Sequence, residues 1–183
     1  MKNIDQLNKE LASLCPGGAI DGGKADKALE IMGSYLQERF QVAYDEVALF
    51  RLVNNDYLCF VIPRELATKG TIPVNASQSI AAKTVTSMKA TCFNDFQAQR
   101  HITFFEGIKF KEDIKGLIQR MLCAPLIAGE NTIGVVQISR KGPDLSQCGP
   151  PFGQADLEAL AQFCQTASKY LETIFKSMNE ENS

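Results

Sequence analysis

The length, composition and charge of the chain are those of an ordinary folded protein and exclude several classes. Its 183 residues suit one domain with short terminal extensions. Hydrophobic residues make up 45% and charged residues 22%, a balance that supports a packed core and excludes a disordered chain. The 19 basic and 21 acidic residues leave a net charge of −2, so we expect no nucleic-acid partner.

The apolar residues are distributed as in a protein that stays outside membranes. No run approaches the roughly 20 apolar residues that span a bilayer. Residues 1–15 contain no apolar segment of the kind that a secretory signal peptide needs. We therefore expect a cytoplasmic protein without a membrane partner.

Six cysteines and a single histidine limit the chemistry that the chain can carry. The cysteines form no C-x-x-C pair, and His101 is the sole imidazole. We therefore expect no metal site, and reduced thiols that pack as small apolar side chains. The sequence also lacks a recognisable nucleophile with a positioned base, so we predict no catalytic residue.

Two helices are predicted in the first part of the chain. Apolar residues three and four apart predict an amphipathic helix over residues 3–14, and a second helix is predicted over residues 25–41. Between them, Gly18 to Lys24 has the spacing of a phosphate loop, but no strand precedes it and Ala25 follows the lysine, which favours a linker. The predicted organisation is a helix with a glycine-rich linker at residues 1–24, a folded domain at residues 25–178 and a polar tail at residues 179–183.

The remaining elements alternate between strand and helix patterns. Two apolar runs that flank residues 54–56 predict one β-hairpin, and residues 121–139 predict another. Pro125 has no amide donor, which predicts an edge or a bulge in its strand. A short helix over residues 79–89 and a long one over residues 154–178 complete an α+β pattern.

Several segments resemble the GAF domain family. Residues 79–85 resemble the family's small-residue helix, residues 121–126 and 133–139 its hallmark hairpin, and residues 152–160 its closing stretch. The resemblance covers about residues 26–178. It implies a GAF/PAS-like antiparallel sheet with the N- and C-terminal helices packed on one face. It also implies a sensory domain that binds a small molecule and catalyses no reaction.

The resemblance places a ligand pocket between the sheet, the short helix and the insert after it. Polar groups there would orient a ligand, and aromatic rings would supply stacking surface. The implied ligand-binding residues are Ser79, Ile80, Thr84, Asn94, Asp95, Phe96, Arg100, Phe104 and Phe105. The alternative is that the phenylalanines close the core and no ligand binds. The identity of the small molecule, and of any cofactor, stays open.

The segment before the last helix departs from the signature of cyclic-nucleotide-binding GAF domains. Leu157 stands where that signature has Glu, and additional residues separate Arg140 and Lys141 from Phe152. We therefore expect a pairing of Arg140 or Lys141 with Asp156 to be a structural clasp and not a ligand contact.

The last helix carries a heptad pattern and is longer than its own sheet requires. The pattern predicts a dimer seam composed of Leu160, Cys164, Ala167, Leu171, Ile174 and Met178. The partner of its C-terminal part is either residues 3–14 or a second copy of the chain. A homodimer through the terminal helices would pass a signal to a downstream protein.

Two other functions stay open. Free-methionine-sulfoxide reductases are GAF-fold enzymes that use cysteine chemistry, and the sheet could bring Cys92 and Cys123 together. The first alternative is therefore a thiol-dependent reductase. The second is a protein-interaction domain whose pocket is filled by its own side chains.

Overall fold

The computed structural model describes residues 3–16, 20–98 and 116–180. The elements are α1 (Ile4–Leu14), α2 (Gly22–Phe40), β1 (Val47–Val53), β2 (Tyr57–Ile62), β3 (Thr71–Pro73), α3 (Ile80–Ser87), β4 (Thr91–Phe93), β5 (Leu117–Ala128), β6 (Asn131–Gly142) and α4 (Gln154–Glu180). The strands form one antiparallel sheet in the order β3-β2-β1-β6-β5-β4, which confirms the predicted α+β fold. Within these ranges, no helix is both long and apolar enough to cross a membrane.

Side-chain caps determine where the first two helices begin. The Asn3 side chain accepts a hydrogen bond from the Gln6 amide at 2.9 Å, and Asp21 accepts one from the Lys24 amide at 2.9 Å. Because Asp21 is the cap, α2 begins at Gly22 and not at residue 25. The last residues of the segment with phosphate-loop spacing, residues 22–24, therefore lie in the first turn of α2.

Both predicted hairpins are present. Asn54 and Asn55 have φ angles of 53° and 58° in the turn between β1 and β2, a left-handed conformation that asparagine tolerates. In the second hairpin, β6 pairs with β5 along most of its length, whereas β4 pairs with β5 only as far as Cys123. Pro125 pairs with Val135 of β6, and on the other side of β5 no described strand reaches it, so the described ladder there does not require its missing amide.

One face of the sheet, called here the helix face, is covered by α1, α2 and α4. Its apolar core includes Leu7 and Leu11 of α1, both 0% exposed, and Phe163 of α4. The Tyr170 hydroxyl of α4 also donates a hydrogen bond to the side-chain oxygen of Asn8 at 2.8 Å. The terminal helices therefore pack on one face as predicted, and α1 shares a core with the rest of the fold.

The heptad seam of α4 points into this core. From Leu160 to Ile174 its members are at most 4% exposed, and Met178 packs half-buried at the margin. The residues concerned are Leu160, Cys164, Ala167, Leu171, Ile174 and Met178. Among the described residues, the sheet and the chain's own helices cover this predicted dimer seam, and its pairing with a second copy stays a prediction. Residues 3–14, the other predicted partner, supply part of that cover.

Candidate functional site on the α3 face

The opposite face of the sheet is called here the α3 face, because α3 is the helix that covers it among the described residues. Ile80, Ala81 and Ala82 of α3 pack against apolar strand residues to form a second core. Phe50 and Phe60 lie in this core with their ring centroids 4.4 Å apart. The face is thus a separate environment, divided from the helix-face core by the sheet itself.

A row of polar side chains crosses the centre of the α3 face. The strand register places Gln137 of β6 beside Cys123 of β5, and Cys123 beside Thr91 of β4. Residues opposite one another in a ladder project to the same side of the sheet, and Cys123 belongs to the α3-face core. Gln137, Cys123 and Thr91 are together called the polar row.

Two members of the polar row carry buried donors without an acceptor. Gln137 is 4% exposed, and its Nε2 has no hydrogen-bond partner within the described parts of the chain. The hydroxyl of Thr91 is also buried and has no partner there. An unpaired buried donor costs about 1–3 kcal/mol, because folding removes its water without replacing it. A bound molecule that supplied acceptors would remove this cost.

Thr84 connects α3 to the polar row. Its Oγ1 donates to the Ile80 carbonyl at 2.9 Å and lies 3.1 Å from the Sγ of Cys123. Thr84 and Cys123 are only 2% and 0% exposed. Thr84, which belongs to the predicted ligand site, therefore contacts the row, although its hydroxyl already has partners in the fold.

A second buried glutamine shows how such a side chain is normally satisfied. Gln119 of β5 is also 4% exposed, but its Nε2 donates to the Gly142 carbonyl at 2.9 Å. Its backbone carbonyl accepts a hydrogen bond from the Phe96 amide at 2.8 Å. Gln119 therefore stabilises the fold, whereas Gln137 retains a donor that the fold does not use.

Three other predicted ligand-binding residues hold α3 and the loop after β4 against the sheet. The Ser79 hydroxyl accepts a hydrogen bond from the Ala82 amide at 3.2 Å and caps α3. Ile80 and Phe96 are each 2% exposed within the α3-face core. The structure thus gives the side chains of Ser79, Ile80 and Phe96 structural roles.

Asn94 and Asp95 also contact the chain itself. Asn94 makes two hydrogen bonds with the backbone of Phe152, one to its carbonyl at 2.9 Å and one from its amide at 2.8 Å. Asp95 accepts a hydrogen bond from the Ala98 amide at 3.2 Å. Both residues fix backbone segments here. The remaining predicted ligand-binding residues, Arg100, Phe104 and Phe105, lie outside the described residues.

Asp156, the acidic residue of the predicted clasp, pairs with a residue other than Arg140 or Lys141. Asp156 accepts a hydrogen bond from the Gly153 amide at 2.9 Å, which caps the start of α4. It also pairs with Arg39 of α2 at 3.7 Å. The structure therefore corrects the expected pairing of Asp156 with Arg140 or Lys141, because Arg39 occupies that place.

The two basic residues of the predicted clasp are used in other structural contacts. The Arg140 guanidinium lies 4.6 Å from the ring centroid of Phe152 and donates to the Phe40 carbonyl at 3.2 Å. Lys141 pairs with Asp45 at 3.0 Å. Both contacts attach β6 to neighbouring segments of the chain.

The two cysteines of the reductase alternative lie on opposite faces of the sheet. Cys92 is in register with Leu122, which belongs to the helix-face core, whereas Cys123 belongs to the α3-face core. Partial burial and the nearby Asp156 carboxylate raise the pKa of Cys92. A raised pKa disfavours the thiolate, which is the reactive form of cysteine. The sheet thus separates these two thiols.

The sequence analysis did not identify Gln137 or Thr91 as site residues. A signal for Gln137 is present, because it interrupts the apolar run of β6 at the inward-facing position two residues after Val135. Thr91 has no comparable signal, since threonine is common in strands. The missing partner of either donor is visible only in three dimensions.

Comparisons with known proteins agree with this architecture. The family model described as GAF domain matches residues 26–171. Among solved structures, the chain is similar to the GAF domain of an Acinetobacter phosphoenolpyruvate-protein phosphotransferase. That match has 14% identity and a TM-score of 0.65, and it covers 98% of this chain and 97% of the other. No curated protein matches the sequence.

Two further structures belong to proteins with different roles. A methyl-accepting chemotaxis protein is 16% identical with a TM-score of 0.64, covering 92% of this chain and 96% of the other. A free methionine-R-sulfoxide reductase from Neisseria meningitidis, solved with its substrate, is 15% identical with a TM-score of 0.60, covering 93% and 89%. At these identities, the similarities show a shared fold.

Proposed function

Because the chain belongs to the GAF domain family, we propose that it is a non-catalytic regulatory module that binds a small molecule on the α3 face. The observation that carries the proposal is the amide of Gln137, which is buried at the centre of the sheet without an acceptor in the described residues. Native proteins rarely retain such donors unless a ligand, an ion or a water uses them. The proposed site is the polar row together with Thr84 above it.

In a regulatory module, the two faces of this sheet would have different roles. The helix face has an apolar core closed by three helices of the described chain, and it stabilises the fold. The α3 face carries the polar row, so a ligand there would stabilise one arrangement of α3 against the strands. Binding would then change the packing of α3 without breaking the main core.

The proposed output is a protein contact. We propose a homodimer in the cytoplasm that passes the ligand signal to a downstream protein. Since the α4 seam is buried within the chain, the dimer contact would use another surface or would require α1 to move away. Sedimentation of the full chain over a range of concentrations tests the dimer, and a mass that stays that of a monomer contradicts it.

Native mass spectrometry followed by a thermal-shift screen tests ligand binding. A molecule retained by the purified protein, or a Tm rise of several degrees with one compound, supports the proposal, because a ligand of the folded state raises stability. With no retained mass and no shift for any nucleotide, amino acid, keto acid or amide, the interaction-domain alternative replaces it.

An activity assay tests the non-catalytic part of the proposal. Reduction of free methionine sulfoxide is measured with the wild type, Cys92→Ser and Cys123→Ser. We expect no turnover from any of the three, because the two thiols project to opposite faces of the sheet. Turnover that disappears in the variants would establish a thiol-dependent reductase instead.

A further inference from the structure

We infer that the ligand of the α3 face is an uncharged molecule with two hydrogen-bond-accepting carbonyl oxygens, one received by Gln137 and the other by Thr91. This inference rests on the proposed function and adds the chemical class of the ligand. Its starting point is the pair of buried donors, Gln137 Nε2 and Thr91 Oγ1, that have no acceptor in the described chain. The Gln137 Nε2 only donates, whereas the Thr91 hydroxyl both donates and accepts, so a ligand oxygen that accepts hydrogen bonds satisfies either group.

The described residues supply no buried countercharge for an ionic ligand at the polar row. Among the described residues, every buried polar side chain is a serine, a threonine or a glutamine, and none is Asp, Glu, Lys or Arg. The rest of the α3-face core is apolar. A carboxylate or phosphate placed there would lose its hydration without gaining a countercharge, which is strongly unfavourable. A neutral carbonyl oxygen avoids that penalty.

The strand register sets the distance between the two acceptors. Gln137 and Thr91 lie on β6 and β4, on either side of Cys123 in β5. Neighbouring strands are about 4.8 Å apart, so the backbones of the two donor residues are about 10 Å apart. Two acceptor atoms, one near each donor residue, match this backbone spacing better than a single oxygen atom does. The ligand therefore carries an acceptor at each end and an apolar middle between them.

A single buried water does not replace such a ligand. A buried water needs two to four polar partners within reach, on the order of three on average. In the ladder, the neighbours of Gln137 are Ala48 and Cys123, which offer a methyl group and a weakly polar thiol. Thr91 lies on β4, two strands away from Gln137. A longer molecule with two acceptors matches both donors at once.

The matched glutamines allow a direct test. In Gln137→Met the unused donor is removed, so we expect the Tm of the unliganded protein to rise by about 2–4 °C. In Gln119→Met a satisfied hydrogen bond is lost at the same 4% exposure, so we expect the Tm to fall by about 2–4 °C. Opposite signs at two equally buried glutamines would show that the Gln137 donor is unsatisfied in the unliganded protein and the Gln119 donor is satisfied.

The binding experiment compares neutral diamides with dicarboxylates of the same chain length. Succinamide, glutaramide and adipamide are compared with succinate, glutarate and adipate by thermal shift and calorimetry. We expect at least one diamide to raise the Tm of the wild type and the dicarboxylate of equal length to leave it unchanged. Gln137→Met should weaken binding of the active diamide about tenfold, while Gln119→Met should leave its affinity unchanged.

Three results would overturn the inference: a shift with dicarboxylates only, no shift with any diamide, or equal diamide affinity in Gln137→Met and wild type. If native mass spectrometry still finds a retained molecule, the proposed function survives and only the ligand class is wrong. If nothing is retained and no compound shifts the Tm, both fail. Should Gln137→Met not fold, Thr91→Val replaces it, with the same expected loss of diamide affinity.

Discussion

Among the residues that the structure describes, three helices cover one face of the sheet and one short helix covers the other. The helix face buries Leu7, Leu11 and Phe163 without exposure, whereas the α3 face leaves the donors of Gln137 and Thr91 buried and unpaired. Both faces use the same strands, so strand propensity does not explain the difference. The comparison shows that one face of a sheet can stabilise the fold while the other carries buried polar groups that reduce stability.

The largest expected effect tests whether α1 belongs to the closed helix face. Leu11→Ala removes a side chain with 0% exposure and leaves a cavity, so we expect a loss of about 2–5 kcal/mol in the free energy of unfolding. Urea denaturation measures this change. Lys9→Ala on the exposed side of α1 is the matched control and should change stability little. Equal, small changes for both variants would mean that α1 does not contribute to the core.

The next effect concerns a position where the strands approach closely. A Cβ at Gly134 of β6 would overlap the backbone carbonyl oxygen of Phe50 in β1. We expect Gly134→Ala to cost about 1–3 kcal/mol, because both faces depend on this strand pair. Chemical denaturation measures the loss, and a weaker response to an active diamide would show that the disturbance reaches the α3 face. Unchanged stability would contradict the close approach.

A smaller expected effect tests whether water reaches the core of the helix face. Burial, with a contribution from Cys123, raises the pKa of Cys164 far above its ordinary value of 9.0. The folded chain therefore keeps a proton that the unfolded chain releases above that pH, so stability is complete below pH 9 and falls as the pH rises further. The expected slope is about 1.4 kcal/mol per pH unit.

Urea titrations between pH 8 and pH 10.5 measure the alkaline slope. Cys164→Ala removes the thiol and should flatten the slope, whatever its effect on stability at neutral pH. Cys92→Ser is the control, since Cys92 is exposed in the structure and should change the slope less. Parallel slopes in wild type and Cys164→Ala would show that water reaches the thiol.

The smallest expected effect examines the start of α2. Gly23 lies in its first turn, where an added Cβ would meet Asp21 Oδ1 at 3.5 Å, an ordinary contact. Gly23→Ala should stabilise the protein by about 0.5–1 kcal/mol, because alanine loses less backbone entropy in a helix. Thermal unfolding measures the gain. A loss of stability would mean that Gly23 has a backbone conformation that alanine does not adopt, which would contradict its place in the first turn of α2.

Much of the fold could be predicted because its signals are local. The cap at Asn3 and the turn at Asn54 and Asn55 act within a few residues of themselves. The edge at Pro125 follows from its missing amide. The apolar periods then assign each segment to a helix or a strand, and together with the family resemblance they lead to the α+β sheet.

The candidate site was less predictable because its contacts join distant parts of the chain. Asp156 pairs with Arg39, and no spacing in the sequence relates those two positions. Asn94 was predicted as a ligand contact, yet it binds the backbone of Phe152. The sequence shows that a side chain is polar. It does not show which of several possible partners will form a hydrogen bond with that side chain.

The sequence by itself determined the elements, the fold class and the family resemblance, because these depend on periodicity and on residues close together in the chain. Only the tertiary structure decided that the α4 seam is covered from within and that Gln119 is satisfied while Gln137 is not. The physical reason is that burial and hydrogen-bond partnership depend on what packs beside a residue. In this protein those neighbours come from elements far apart in sequence. The local patterns of α4 and β6 would be the same if different elements packed against them.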